Sequence, residues 1–197
     1  MRLILVRHGE TEENRYDMMQ GQLPGHLTKK GISQAKKLAR RFKKEHFDII
    51  YSSDLKRCKD TLKEIIKYHP KTRVKYAKEL RERAFGVFEG RAHQDIDKHL
   101  KKLKISFSKW KPKGGETGLQ KSRRVKKFLD RMLREHSDDT VLWVTHGGVI
   151  YSALNSILGE DNLKKKTGSA QNTAVSMLEL DNKGNHKIHL INCVKHL

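Results

Sequence analysis

The chain opens on a short, branched, uncharged run, Leu3-Ile4-Leu5-Val6, that ends in Arg7-His8-Gly9-Glu10-Thr11. A continuous apolar run of this length reads as a β-strand buried on both faces, because a half-buried strand alternates. It places a cation and an imidazole at the carboxyl end of the strand, the edge at which open α/β sheets bind ligands. Gly9 lets backbone approach a ligand closely. The combination suits attack by a histidine on phosphorus, with an arginine holding the phosphate.

Three further polar clusters stand at or just after strand-like runs. Ser52-Ser53-Asp54-Leu55-Lys56-Arg57 follows Asp48-Ile49-Ile50-Tyr51, and Val144-Thr145-His146-Gly147-Gly148 follows Val141-Leu142-Trp143. Between them, Leu80-Arg81-Glu82 leads into Phe85-Gly86-Val87-Phe88-Glu89-Gly90. One sheet edge can gather all of them. The strands alternate with helical segments, which predicts an α/β fold: three layers, α/β/α, with a mainly parallel sheet. The turn signal Asp181-Asn182-Lys183-Gly184 joins two closing strands and requires at least one antiparallel strand. Thr28 is expected to cap the first long helix, with Ile32, Ala35, Ala39 and Phe42 as its buried stripe. Asp54 is expected to cap the next helix, and Glu79 to Arg81 to be extended. The whole of 1–197 reads as one domain with a surface excursion at about 91–115. Within it, His93 to Leu103 reads as helix and 106–115 as an exposed, basic connection holding Trp110.

With 36% hydrophobic and 34% charged residues the chain is polar, but its apolar residues fall in runs and stripes, which argues against disorder. The start lacks the apolar core of a signal peptide, and no stretch has the roughly 18 apolar residues of a membrane span. Cys58 and Cys193 form no disulfide framework. A cytoplasmic protein without membrane partners is the expectation. A formal net charge of +20 favours capture of anions. Nucleic acid is not expected as a partner, since no aromatic RNA-binding signature or zinc-finger spacing accompanies the charge. No His/Cys/Asp cluster has metal-ligand spacing.

Taken together, the clusters resemble the histidine phosphatase superfamily, the phosphoglycerate-mutase-like enzymes, in order from Arg7 through Asn172. Asn14 and the Gln20-Gly21 pair sit where that family places phosphate-loop residues. Leu27-Thr28 with Gly31, Gln34 and Ala35 matches the start of its first long helix, and Gly115-Glu116-Thr117 resembles its Gly-Glu-Ser. The resemblance implies a metal-independent reaction, with no cofactor, through a phosphohistidine. Neutral His8 is then the nucleophile, its other ring nitrogen held by a backbone carbonyl. Arg7, Arg57 and His146, the last able to carry positive charge, surround the phosphate. Asn14, Gln20, Gly21, Thr11 and Gly147 complete the binding set. Glu82 protonates the leaving oxygen and then activates water; Glu89 is the alternative acid.

The short excursion and the Phe85–Gly90 segment resemble the phosphatase branch, so hydrolysis of a small anionic phosphorylated metabolite is expected. The alternative is a bisphosphoglycerate-dependent phosphoglycerate mutase, and a non-enzymatic basic binding module is a remoter one. Lys101, Lys102, Lys104, Trp110, Lys111 and Lys113 are expected to roof the pocket and to select a substrate with more than one acidic group. His93 and His99 are weaker candidates for substrate contact. Cys58 stands where the family often has alanine; beside Arg57 it is a candidate oxidation-sensitive thiol.

Overall fold

The computed structural model describes residues 1–159 and 170–197. In chain order they form β1 (Arg2–Arg7), α1 (Glu12–Arg15), α2 (Lys29–Phe42), β2 (Ile49–Ser52), α3 (Lys56–Ile66), β3 (Arg73–Tyr76), α4 (His93–Leu103), α5 (Gly118–Glu135), β4 (Thr140–Thr145), α6 (Gly147–Leu158), β5 (Val175–Leu180) and β6 (His186–Cys193). The sheet has the order β3-β2-β4-β1-β5-β6. Strands β1, β2, β3 and β4 pair in parallel, while β5 runs antiparallel to β1 and to β6. The expected mainly parallel sheet with an antiparallel edge is therefore present.

Both sheet faces are covered, and the strand pleat divides the core in two. Leu3, Leu5, Tyr51, Val141 and Trp143 point to one face, where α5 packs Val125, Phe128 and Met132 and α6 packs Val149 and Ala153. Ile4, Val6, Ile50, Leu142 and Val144 point to the other, against Leu38 and Phe42 of α2 and Leu62 and Ile65 of α3. Adjacent residues of one strand thus serve opposite cores, which is why these strands read as unbroken apolar runs. A smaller cluster of Met19, Phe85, Ile96, Leu100 and Trp110 seats α4 and the following segment.

Several expectations change in detail. The Thr28 hydroxyl accepts from the Gly31 amide and caps α2 as expected. Ile32, however, is exposed, and Leu38 takes the buried place, because the buried stripe of α2 runs through Gly31, Gln34, Ala35, Leu38, Ala39 and Phe42. Asp54 does not cap α3. Its carboxylate accepts two hydrogen bonds from Arg81, one of 2.6 Å, and Leu55 stands at the cap without a side-chain bond. Residues 78–80 form one turn of 3-10 helix, not an extended piece. Trp110 is buried, not exposed.

The strand order places the site. The chain leaves β1, crosses to β2 and β3 on one side, and returns through α5 to insert β4 between β1 and β2. The carboxyl ends of β1 and β4 lie side by side, with Val6 opposite Val144 and Arg7 opposite Thr145. A strand-order reversal of this kind opens a crevice at the carboxyl edge of the sheet.

Candidate active site

His8 follows directly on β1. Its amide donates to the Thr145 carbonyl at 3.0 Å, which anchors it to the end of β4. Its Nδ1 lies 2.8 Å from the Gly9 carbonyl. Only an Nδ1 proton makes that contact favourable, so the lone pair sits on Nε2. The ring is buried, and burial, Arg57 and Arg7 all push its pKa well below the ordinary value. His8 is therefore a neutral imidazole with a free Nε2, as a nucleophile requires.

Arg57 is delivered by the first turn of α3 and is 1% exposed. Its Nη1 and Nη2 donate to the carbonyls of Leu23 and Gly21 at 2.6 and 2.7 Å, and its Nε to Nδ1 of His146 at 3.2 Å. These bonds fix the plane of the guanidinium and leave further Nη hydrogens without an acceptor among the described residues. Arg7 donates through Nη1 to the Ala170 carbonyl at 2.6 Å, while its buried Nε has no partner among the described residues. A buried, unpartnered guanidinium donor is costly unless an anion completes it.

His146 lies beneath this floor, its ring centroid 5.3 Å from that of His8. The resemblance allows it positive charge; in the free site it is neutral, because burial, Arg57, His8 and Arg7 depress its pKa. Its Nδ1 accepts from Arg57, so Nε2 carries the proton and donates to the Ser53 hydroxyl at 2.9 Å. Its visible task is to hold Arg57.

Glu82 faces His8 across the crevice. Its Oε1 accepts from the Arg83 amide at 2.8 Å and its Oε2 from the Gly148 amide at 2.9 Å, the latter in the first turn of α6. Burial opposes its charge, but Lys121, the two amides and Arg57 outweigh burial and lower its pKa. Gly148 is required here: a Cβ would stand 2.4 Å from Glu82 Oε1. Glu89, the alternative acid, accepts from the amides of Gln22 and Phe85 at 2.9 and 3.0 Å and acts as a loop anchor.

A cavity of about 420 Å³ opens over these groups. Arg7, His8, Asn14, Gln20, Gly21, Arg57, Glu82 and Gly147 all line it. Thr11 does not: it is fully buried behind the site, its hydroxyl capping α1 by accepting from the Asn14 amide. The far wall is largely apolar, formed by Phe85, Phe107, Tyr151 and Leu154 among others. The five excursion lysines are exposed and none lines the cavity; Trp110 is packed in the small cluster below it. His93 reaches the cavity wall, whereas His99 stacks near Phe88 at 4.8 Å.

Four supporting residues were not singled out from the sequence. Ser53 receives His146. Thr61 accepts from the Gly9 amide at 3.0 Å and donates to the Arg57 carbonyl at 2.8 Å, joining the β1 loop to α3. Asn172 donates to the His8 carbonyl and to Asn14 Oδ1, so that the Asn14 amide nitrogen is turned away from it. Lys121 donates from Nζ to the Gly148 carbonyl at 2.7 Å. Only Thr61 left a signal, its spacing of four from Arg57 on one helix face.

Cys58 is wholly buried, with its sulfur 3.5 Å from the Thr145 carbonyl and from His146 Nε2. Burial pushes its pKa up to about 12 despite Arg57. Burial shields the thiol and favours its protonated form, which argues against the expected sensitivity to oxidation. Among the described residues no group of three or more His, Cys, Asp or Glu stands where it could hold a metal ion, and no helix is long and apolar enough to cross a membrane.

Comparison with known proteins identifies the family. Phosphoserine phosphatase 1 of Hydrogenobacter thermophilus is 31% identical over 192 residues, covering 94% of this chain and 89% of its own length. A metal-independent phosphoserine phosphatase of Arabidopsis thaliana is 33% identical over 184 residues, covering 90% and 76%. The solved structure of a phosphoserine phosphatase from Entamoeba histolytica in complex with 3-phosphoglyceric acid superposes with a TM-score of 0.84 at 27% identity, covering 99% of this chain and 98% of that one. The model of the histidine phosphatase superfamily (branch 1) matches residues 3–193, and the chain belongs to that family.

Proposed function

We propose that the chain hydrolyses small phosphomonoesters through a phosphohistidine on His8, the positive charge coming from arginine side chains rather than a metal ion. The observation that carries this reading is the neutral His8 with Nδ1 pinned to its own loop and Nε2 free, between the guanidinium groups of Arg7 and Arg57. Both arginines, the Asn14 side-chain amide and the Gly147 amide at the start of α6 suit a phosphoryl group whose charge spreads over its oxygens.

In the first step the Nε2 lone pair attacks phosphorus and the bond to the leaving oxygen breaks, with Glu82 supplying a proton to that oxygen. In the free site the Glu82 carboxyl lies below its ordinary pKa. A dianionic phosphoryl group beside it adds like charge and raises that pKa, so the proton is retained once substrate is bound. In the second step the Glu82 carboxylate takes a proton from water, the water oxygen attacks phosphorus and the N–P bond breaks. Inorganic phosphate leaves and His8 is again neutral. Support for hydrolysis over mutase chemistry comes from the phosphatase relatives and from an excursion of only about 25 residues over the site.

The test is phosphate release with chelator present, across phosphomonoesters that include phosphoserine and 3-phosphoglycerate. His8→Ala should abolish turnover and also the acid-labile phosphoryl label trapped on the wild-type protein. Phosphate release near the wild-type rate in His8→Ala would overturn the reading. Phosphoglycerate interconversion primed by bisphosphoglycerate, without net release, would replace it by a mutase.

A further inference from the structure

Beyond lowering the pKa of Glu82, one buried cation of the cavity has no contact with substrate in the proposed mechanism. Lys121 is 9% exposed, although it lies on a helix surface rich in solvated lysines and arginines. It reaches inward from α5 and lines the same cavity as His8 and Glu82. One of its N–H groups donates to the Gly148 carbonyl; the others have no partner among the described residues.

The other permanent cations of the cavity are committed. Arg7 and Arg57 flank His8, where the phosphoryl group must sit. Arg83 gives its guanidinium to the carbonyls of Glu116, Phe107 and Trp110. Lys121 shares the cavity lining with Phe85, Phe107 and Leu154, and its strongest charged neighbours are Glu82, Arg83, Arg124 and Glu116 rather than the two arginines beside His8. In surroundings of low polarity a single ammonium acts strongly on one anion and has little water to compete with it.

Resting on the hydrolase reading, we infer that Lys121 is the specificity-determining residue that receives a carboxylate on the substrate, so that the enzyme prefers phosphomonoesters bearing a carboxylate near the phosphate. The Lys121 charge lies between that carboxylate and Glu82, and shields one acid from the other. The role expected of the exposed excursion lysines thus falls to a single buried one. One cation not committed to a fork of carbonyls, on a largely apolar wall, fits one carboxylate, and does not fit a second phosphate that needs several donors.

The experiment compares 3-phosphoglycerate with glycerol 3-phosphate, which carries a hydroxymethyl group in place of the carboxylate, and p-nitrophenyl phosphate as a generic ester. In the wild type, kcat/KM should favour 3-phosphoglycerate over glycerol 3-phosphate by 10-fold or more, on the scale of one charge-assisted hydrogen bond. Lys121→Met should collapse that ratio toward one, mainly through KM for 3-phosphoglycerate, and Lys121→Arg should restore part of it. A wild-type ratio near one overturns the inference without need of any variant. So does a ratio that survives Lys121→Met, or one that is lost in His93→Ala instead. Hydrolysis of p-nitrophenyl phosphate alone would leave the hydrolase reading standing and sink this one. No hydrolysis of any of the three would fail the hydrolase reading itself.

Discussion

Glu82 shows how much of the chemistry is decided by the neighbours of one side chain. It is buried, yet two amides and the Lys121 ammonium keep its carboxyl below the ordinary value. In the proposed mechanism a general acid whose resting pKa is lowered in this way depends on bound phosphate to hold its proton. Glu82→Gln keeps the size of the group but can neither give nor take a proton. It should slow hydrolysis of alkyl phosphates by on the order of 10²–10⁴. For p-nitrophenyl phosphate the first step needs little protonation, so the burst of p-nitrophenol should survive while steady turnover falls. Rapid-mixing kinetics read both phases; an equal loss of burst and turnover would deny Glu82 the acid role. Cys58 illustrates the opposite outcome. Its position beside Arg57 in sequence suggested reactivity, but α3 turns the sulfur into the core, where burial keeps the thiol protonated. Activity should therefore be unchanged after mild peroxide treatment, and a loss that tracks Cys58 oxidation would contradict this.

Between residue and fold stands the segment from α4 to α5, and its stability rests on Arg83. That side chain is 1% exposed, bonds to three carbonyls between Phe107 and Glu116, and lies against Phe85, Phe107 and Trp110 at 4.9, 4.7 and 5.6 Å. Its own amide holds Glu82. Arg83→Met leaves those carbonyls without their donor, at about 1–3 kcal/mol for each one that stays buried. The variant should melt earlier, be cleaved by trypsin within 104–113, and lose kcat because Glu82 is no longer fixed. Lys at this position should not rescue it, since an ammonium cannot span the fork. Unchanged proteolysis would mean the segment holds itself. This element also marks where the sequence stopped being legible. His8, Arg57, Glu82 and His146 could be read because each follows an apolar run and the fold class sends such ends to one edge. The task of Arg83 could not be read, because its acceptors are backbone carbonyls 24 to 33 residues away. Lys121 was hidden for a related reason: on α5 it is one basic residue among many, and only the packing of α5 against α6 turns it inward. The Asp54 cap failed because Arg81, distant in sequence, competes for the same carboxylate.

At the scale of the whole molecule, the carboxyl edge of the sheet is a buried, electropositive well that the fold must sustain when no phosphate is present. His8 and His146 are held neutral there, with pKa values well below the ordinary 6.5, by burial and by Arg57. In the unfolded chain both regain ordinary values and bind protons that the folded state refuses. Stability from this source is complete above about pH 6.5 and is lost as the pH falls below it, since the unfolded state then binds more protons. The slope approaches about 1.4 kcal/mol per pH unit for each histidine. Glu82, also depressed, adds its own loss only below the ordinary carboxylate value of 4.5. The two sources are therefore separable: the histidines act between about pH 4.5 and 6.5, above the carboxylate range. Urea denaturation in phosphate-free buffer across that interval should show wild-type stability falling with acid. His8→Asn, which removes one of the two imidazoles of the well, should flatten the fall by about 1.4 kcal/mol per pH unit. Added inorganic phosphate should raise stability at every pH in the wild type, because an anion that binds only the folded state stabilises it by mass action. A slope that is the same in His8→Asn would place the acid sensitivity elsewhere, and no stabilisation by phosphate would deny that the well is an anion site at all.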